Sequence, residues 1–248
     1  MIKITDTVKH LIIINILFFA ATMAFKEPMY EYLAMHFPKN PLFKPWQLVS
    51  HLFMHSNFTA SGEITITHLL FNMLGLWMFG SAVEKAIGRN NFVALYFIAG
   101  IGAALFSLGI DYIQYSSIYK NLMEIGLTPD AIQAMMDTNK VVDPRVFDFP
   151  KADLSNLYGI YHSRAVGASG SIFGVLIASA VIYPKAKMGP MFLPISFEAR
   201  YFIPVILVAE MYFGFLRTND NIGHFAHIGG AIFGFIFIWY LKKKYKKH

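Results

Sequence analysis

The stretch GASGSIFGVLIASAVIY, residues 167–183, decides how the chain folds. It opens on small residues around Ser169 and runs on as unbroken apolar sequence. As a helix, it approaches the length of about 20 apolar residues needed to cross a bilayer's hydrocarbon. Five further segments share its character: 11–25, 67–83, 92–110, 201–216 and 224–241. Hydrophobic residues make up 56% of the 248 positions, charged residues 15%, and the mean hydropathy is +0.47. Soluble domains carry about 25% charged residues, and so apolar a surface needs lipid to cover it.

The expectation is an all-α integral membrane protein, one domain over residues 1–248 with six spans. Two long outer loops, 26–66 and 111–166, join them. The first span also has the basic start and apolar core of a signal peptide. Only Thr22 and Ala24 hint at cleavage, so it is read as a retained helix.

The net charge of +6 does not point to nucleic acid. The densest basic run is KKKYKKH, residues 242–248, directly after an apolar helix, where it anchors a span at the membrane surface. Six spans put both termini on one side. That side holds twelve Lys and Arg in short segments, the other nine spread over long loops. By the positive-inside rule both termini are cytoplasmic. There is no cysteine, which excludes thiol chemistry and disulfides and leaves the compartment open.

Within the first loop, YEYLAMHF and PWQLVSHLFMH read as amphipathic and suited to the interface. In the second, LTPDAIQAMMD predicts a helix with Thr128 as N-cap and Pro129 in its first turn. Asp143-Pro144 and Phe149-Pro150 break it.

With that topology, three spans bring polar groups to one depth near the outer face: His68 and Asn72, Ser169, and His224 with His227. Polar groups inside a bundle face its interior or a water-filled cavity. Each has a plainer reading on its own. Ser169 fits a packing ridge with Gly170, Gly174 and Ala178, Gly230-xxx-Gly234 is a second ridge, and His68 and Asn72 at i, i+4 fit a structural hydrogen bond. Their common depth points instead to a site. A serine hydroxyl becomes a nucleophile beside a base, and acyl chemistry needs oxyanion donors. His68, Asn72 and the Ser169 N–H can supply these. Gly167 and Gly170 clear space beside Ser169 for a substrate backbone.

Four motifs then carry a resemblance, in order and over most of the chain. HLLFN (68–72), GSAVEKAIG (80–88), GASGSIFG (167–174) and AHIGGAIFG (226–234) resemble the rhomboid intramembrane serine proteases. The resemblance implies Ser169, not Ser171, as nucleophile, His227 as base with no aspartate, and His224 as a neighbour. It also implies a six-helix bundle with a cavity open to the outside and a fifth helix acting as lateral gate. The partners are the lipid bilayer and single-pass transmembrane substrates cut near their outer ends, with no cofactor, metal or nucleic acid. The basic chain without organellar targeting suggests a bacterial cytoplasmic membrane.

Departures are Trp46-Gln47 where the family often has Trp-Arg, and Phe173 where it often has a hydroxylated aromatic. A phenyl ring there can still pack on His227. SNFTASGEITIT, residues 56–67, is longer than usual. The long loop 111–166 is read as an access restriction, a substrate contact or an inert insertion. Glu84 is read as structural. Glu210, an acid within span five, is left between facing the cavity and reaching the outer interface.

Three rivals remain. His51 and His55 are spaced like metal ligands on a helix, but Leu52 follows His51, so HExxH is absent; they are read as structural. A silent rhomboid-like protein that binds helices without cutting usually lacks the serine or histidine, and both are here. A transporter would show matched, broken repeats, and none is visible.

Overall fold

The structure is a computed structural model describing residues 3–58, 63–138, 143–189, 195–216 and 223–245. Part of SNFTASGEITIT (59–62), two of the basic residues counted for orientation, Lys140 and Arg217, and the end of the basic tail (246–248) lie outside the described residues.

The molecule is mostly helical. In chain order come α1 (Asp6–Phe25), α2 (Glu27–Leu33), β1 (Met35–His36), α3 (Gln47–Ser50) and a 3-10 turn, His51–Phe53. Next is a helical run made of α4 (Thr67–Gly75), a π turn (Leu76–Gly80) and α5 (Ser81–Ile87). Then follow α6 (Arg89–Glu124), α7 (Pro129–Thr138), a 3-10 turn (Pro144–Asp148), α8 (Lys151–Tyr161) and β2 (Arg164–Ala165). The chain continues through α9 (Ser169–Ile182), β3 (Lys187–Met188), β4 (Phe197–Glu198), α10 (Ala199–Leu216) and α11 (His224–Tyr245). The short strands form two antiparallel pairs, β1 with β2 and β3 with β4.

All six apolar segments are helical. Four helices, α1, α6, α10 and α11, are long and apolar enough to cross a membrane. The other two differ. Residues 67–87 are divided by the π turn, and α9 has 14 residues, about 21 Å at 1.5 Å per residue. Exposed Leu17, Val205, Val208, Phe215 and Trp239 give the outside an apolar surface that only lipid satisfies.

At the centre, α6, α9 and α11 pack on one another, and glycines set how closely. A Cβ on Gly234 would lie 2.5 Å from Gly174 Cα, and one on Gly230 would overlap the carbonyl of Gly170. Helices α9 and α11 therefore touch backbone to backbone over two turns. The α6 side closes the same way, with a Gly170 Cβ falling 2.5 Å from Ala103 Cβ. Gly170 thus faces helices rather than clearing room for a substrate: its missing side chain makes room for α6. On the opposite flank, the hydroxyls of Thr5 and Thr7 donate to the Glu84 carboxylate, tying α1 to α5. Glu84 is structural, as its sequence position implied.

The loop 111–166 is mostly helix. Span three does not stop at residue 110, because α6 continues to Glu124. Its overhang, with α7 and α8, encloses a second apolar core containing Tyr115, Ile118, Leu122, Ile132, Met135 and Leu157. Thr128 caps α7 as expected, its hydroxyl accepting from the Ala131 N–H at 3.2 Å.

The first loop is organised by Gln47. This fully buried amide donates to Leu42 O (2.9 Å) and Glu31 O (3.2 Å) and accepts from the N–H of Lys44 (3.1 Å) and His36 (3.3 Å). The Trp46-Gln47 departure keeps a loop tie, made by an uncharged amide.

Candidate active site

Ser169 is the first residue of α9, entered through Gly167 and Ala168. Gly167 has φ +127°, where L side chains are strained. A Cβ there would also lie 2.9 Å from His68 Nε2. Its N–H donates to His51 O at 3.0 Å, pinning the approach to the serine on the first loop. The Ser169 N–H lies in the first turn of α9, where amides have no partner within the helix.

The interlock of α9 with α11 puts His227, in the first turn of α11, against Ser169. His227 Nε2 lies 3.0 Å from Ser169 Oγ. Phe173, one turn along α9, stacks on the His227 ring at 4.2 Å between centroids and 7° between planes. The expected phenyl contact is present. Ser171 is fully buried and its Oγ faces Gly100 of α6, so of the two serines only Ser169 meets the histidine.

His68, in the first turn of α4, accepts the Ser56 N–H at Nδ1 (3.2 Å). That leaves the proton on Nε2, the nitrogen that faces Gly167 beside Ser169. His68 is thus set as a donor. Asn72 is buried one turn on, but its Nδ2 donates to His68 O at 2.8 Å. Asn72 Oδ1 has no partner among the described residues. Asn72 therefore stands next to the site with its amide turned to its own helix, less directly placed than His68.

The contacts of His51 and His55 extend beyond the first loop. His51 holds Gly167 through its carbonyl, and its ring Nδ1 meets Gln47 O at 2.6 Å. Burial pushes the His51 imidazole down to about 4. The His55 ring sits edge-on to His68 at 5.1 Å. Burial, and secondarily the neighbouring His68, push it down to about 3. Both stay neutral at ordinary pH and wall the donor side of the site.

Glu210 of α10 faces α11 and its two histidines. Its Oε2 lies 2.6 Å from His224 Nδ1 and 3.0 Å from His227 Nδ1. Among the described residues these three form the one cluster with metal-ligand donors close together. The 2.6 and 3.0 Å separations are hydrogen-bonding distances. Two ligands on one tetrahedral zinc, each about 2.0 Å from it, stand about 3.3 Å apart.

The Rhomboid domain family model matches residues 43–118 and 149–244. The gap, 119–148, is the end of α6 with α7 and its 3-10 turn, much of the second apolar core. The chain is 28% identical to Rhomboid protease AarA of Providencia stuartii, over 76% of this chain and 53% of that protein. It is 30% identical to Rhomboid protease GluP of Bacillus subtilis, over 77% and 25%. Against Presenilin-associated rhomboid-like protein A, mitochondrial, of Danio rerio it is 27% identical, over 86% and 42%. The matched stretch spans about half or less of each relative's length. With the family model matching most of the chain, residues 43–118 and 149–244, this protein belongs to the rhomboid family.

Proposed function

We propose that the chain is an intramembrane serine endopeptidase in which Ser169 and His227 form the reacting pair. The observation that carries this is the 3.0 Å contact between His227 Nε2 and Ser169 Oγ, at the open end of a helix inside an apolar bundle. In the reaction, His227 Nε2 takes the Ser169 proton as Oγ bonds to the substrate carbonyl carbon. Negative charge gathers on the carbonyl oxygen, where His68 Nε2–H and the Ser169 N–H can donate. The proton on His227 then passes to the leaving nitrogen as the peptide bond breaks. Water, deprotonated by His227, hydrolyses the acyl-enzyme and returns Ser169.

The substrates are single-pass transmembrane segments, cut near their outer ends. The six helical segments cross the bilayer with both termini cytoplasmic. Because α9 is about 9 Å shorter than a 30 Å hydrocarbon layer, its serine lies below the outer surface while its other end meets the inner one. Helix α10 is the entry side: 17% of its apolar window is buried, against 44% for α6 and α11. The setting is a bacterial cytoplasmic membrane, in keeping with the relatives from Providencia stuartii and Bacillus subtilis.

The test is fluorophosphonate labelling of purified protein in detergent. Wild type labels at Ser169, while Ser169→Ala and His227→Ala do not and unfold at the wild-type temperature. Absence of labelling in folded wild type, or labelling that persists in Ser169→Ala, sinks the assignment.

A further inference from the structure

We infer that Glu210 is a positioning residue for His227, giving this chain a Ser169–His227–Glu210 relay instead of a bare pair. The inference rests on the reading of Ser169 and His227 as the reacting residues. The pair alone needs no acid, so a carboxylate in the middle of an apolar helix calls for its own explanation.

The geometry supplies one. Glu210 is 16% exposed at its side chain, and a single oxygen, Oε2, lies 2.6 Å from His224 Nδ1 and 3.0 Å from His227 Nδ1. The two rings stand nearly perpendicular, at 81°, so they approach that oxygen from different directions. Gly214, one turn further along α10, brings the helix close: a Cβ there would lie 3.2 Å from His224 Cβ. Helix α10 therefore packs closely against α11 at His224.

A carboxylate only accepts hydrogen bonds. An imidazole nitrogen facing it carries the proton, so His227 is held with hydrogen on Nδ1 and a lone pair on Nε2. Nε2 is the nitrogen that faces Ser169 Oγ. The carboxylate thus selects the one tautomer able to take the serine proton. When Nε2 is protonated in the transition state the ring becomes a cation, and Glu210 stabilises it without itself accepting a proton. At 3.0 Å the Nδ1–H does not yet point along the line to Oε2. Such contacts tighten as the reaction proceeds. The shorter His224 contact orients the carboxylate by holding the same oxygen.

The test measures fluorophosphonate inactivation of the full chain in detergent, separating the maximal rate kinact from the half-saturating concentration KI. Glu210→Gln keeps the shape and removes the charge. We expect kinact to fall on the order of 10- to 100-fold, with KI and the unfolding midpoint unchanged. Glu210→Asp keeps a carboxylate, recovers part of the rate, and guards against a Gln variant that folds poorly. An unchanged kinact in folded Glu210→Gln overturns the relay and leaves the Ser169–His227 reading standing. A raised kinact also overturns it, making the contact a latch on α10. A chelator-induced loss of wild-type rate overturns it in favour of a metal held by Glu210, His224 and His227. If wild type does not label at all, the underlying reading fails and the inference with it.

Discussion

Replacing Gly170 by alanine puts a methyl group 2.5 Å from Ala103 Cβ on α6. Carbon atoms rest at about 3.5–4.0 Å, so α9 has to back away from α6 by about 1 Å. Gly170 directly follows Ser169, whose Oγ is 3.0 Å from His227 Nε2. A shift of that size takes the pair out of hydrogen-bond range. A misplacement of about 1 Å lowers a catalysed rate on the order of 100-fold, and overpacking of this kind destabilises by about 1–3 kcal/mol. The variant should unfold at a lower temperature and react with fluorophosphonate about 100-fold more slowly.

The deciding arm is the swap. Ala103→Gly removes the methyl that is struck, and the next atoms around the new Cβ, Ala226 O and Ala103 Cα, lie at 3.6 and 4.0 Å. Those are ordinary contacts. Alone, Ala103→Gly weakens α6 by about 1 kcal/mol. Combined with Gly170→Ala it should return labelling to within about 3-fold of wild type, a coupling of about 1–3 kcal/mol. Gly109→Ala, with nothing within 4 Å of its added methyl, is the control. If the double variant labels no faster than Gly170→Ala alone, helix spacing does not set the serine–histidine distance.

Two further outcomes follow from groups away from the serine. Glu84→Gln loses the charge that receives the Thr5 and Thr7 hydroxyls. It should lower stability by about 1–3 kcal/mol while labelling of Ser169 stays at the wild-type rate; a slower rate contradicts a purely structural Glu84. The His51 imidazole is depressed by burial to about 4, against 6.5 when unfolded. Between those values the unfolded chain binds the extra proton, so stability present above pH 6.5 is lost as the pH falls towards 4. Thermal unfolding from pH 7.5 to 4.5 should show a shallower decline in His51→Gln than in wild type, and identical slopes would remove His51 as a source.

The helices, visible in a linear pattern, lie where the apolar runs place them, whereas contacts between helices are not legible in the sequence. Apolar length located all six helical segments, because burial in lipid depends on the run itself. Ser169, His68 and His227 stood out because polar groups at one depth conflict with that run. The extent of α6 was hidden because its overhang, YIQYSSIYKNLME (112–124), is only half apolar. It is helical through packing against α7 and α8. The direction in which Gly170 points was equally invisible, since a small residue beside a serine serves a substrate or a helix neighbour alike. Glu210 could be noticed but not placed. Its role depends on α10 and α11 running past each other so that it meets His227, 17 residues later in the chain, and no local pattern encodes that offset.

The structure divides the site between a tight part and a loose one. Ser169 and His227 lie on α9 and α11, whose backbones touch through Gly170, Gly174, Gly230 and Gly234, so the spacing of these two helices is fixed by backbone contacts. Glu210 lies on α10, which buries little of its apolar surface and carries Pro204, whose missing N–H leaves a helix carbonyl without its usual partner. A displacement of α10 away from α11 therefore breaks the carboxylate contacts, while the backbone contacts between α9 and α11 do not involve α10. On the role proposed for Glu210, His227 is fully oriented only when α10 sits against α11. An acid on α9 or α6 would have made that orientation independent of α10.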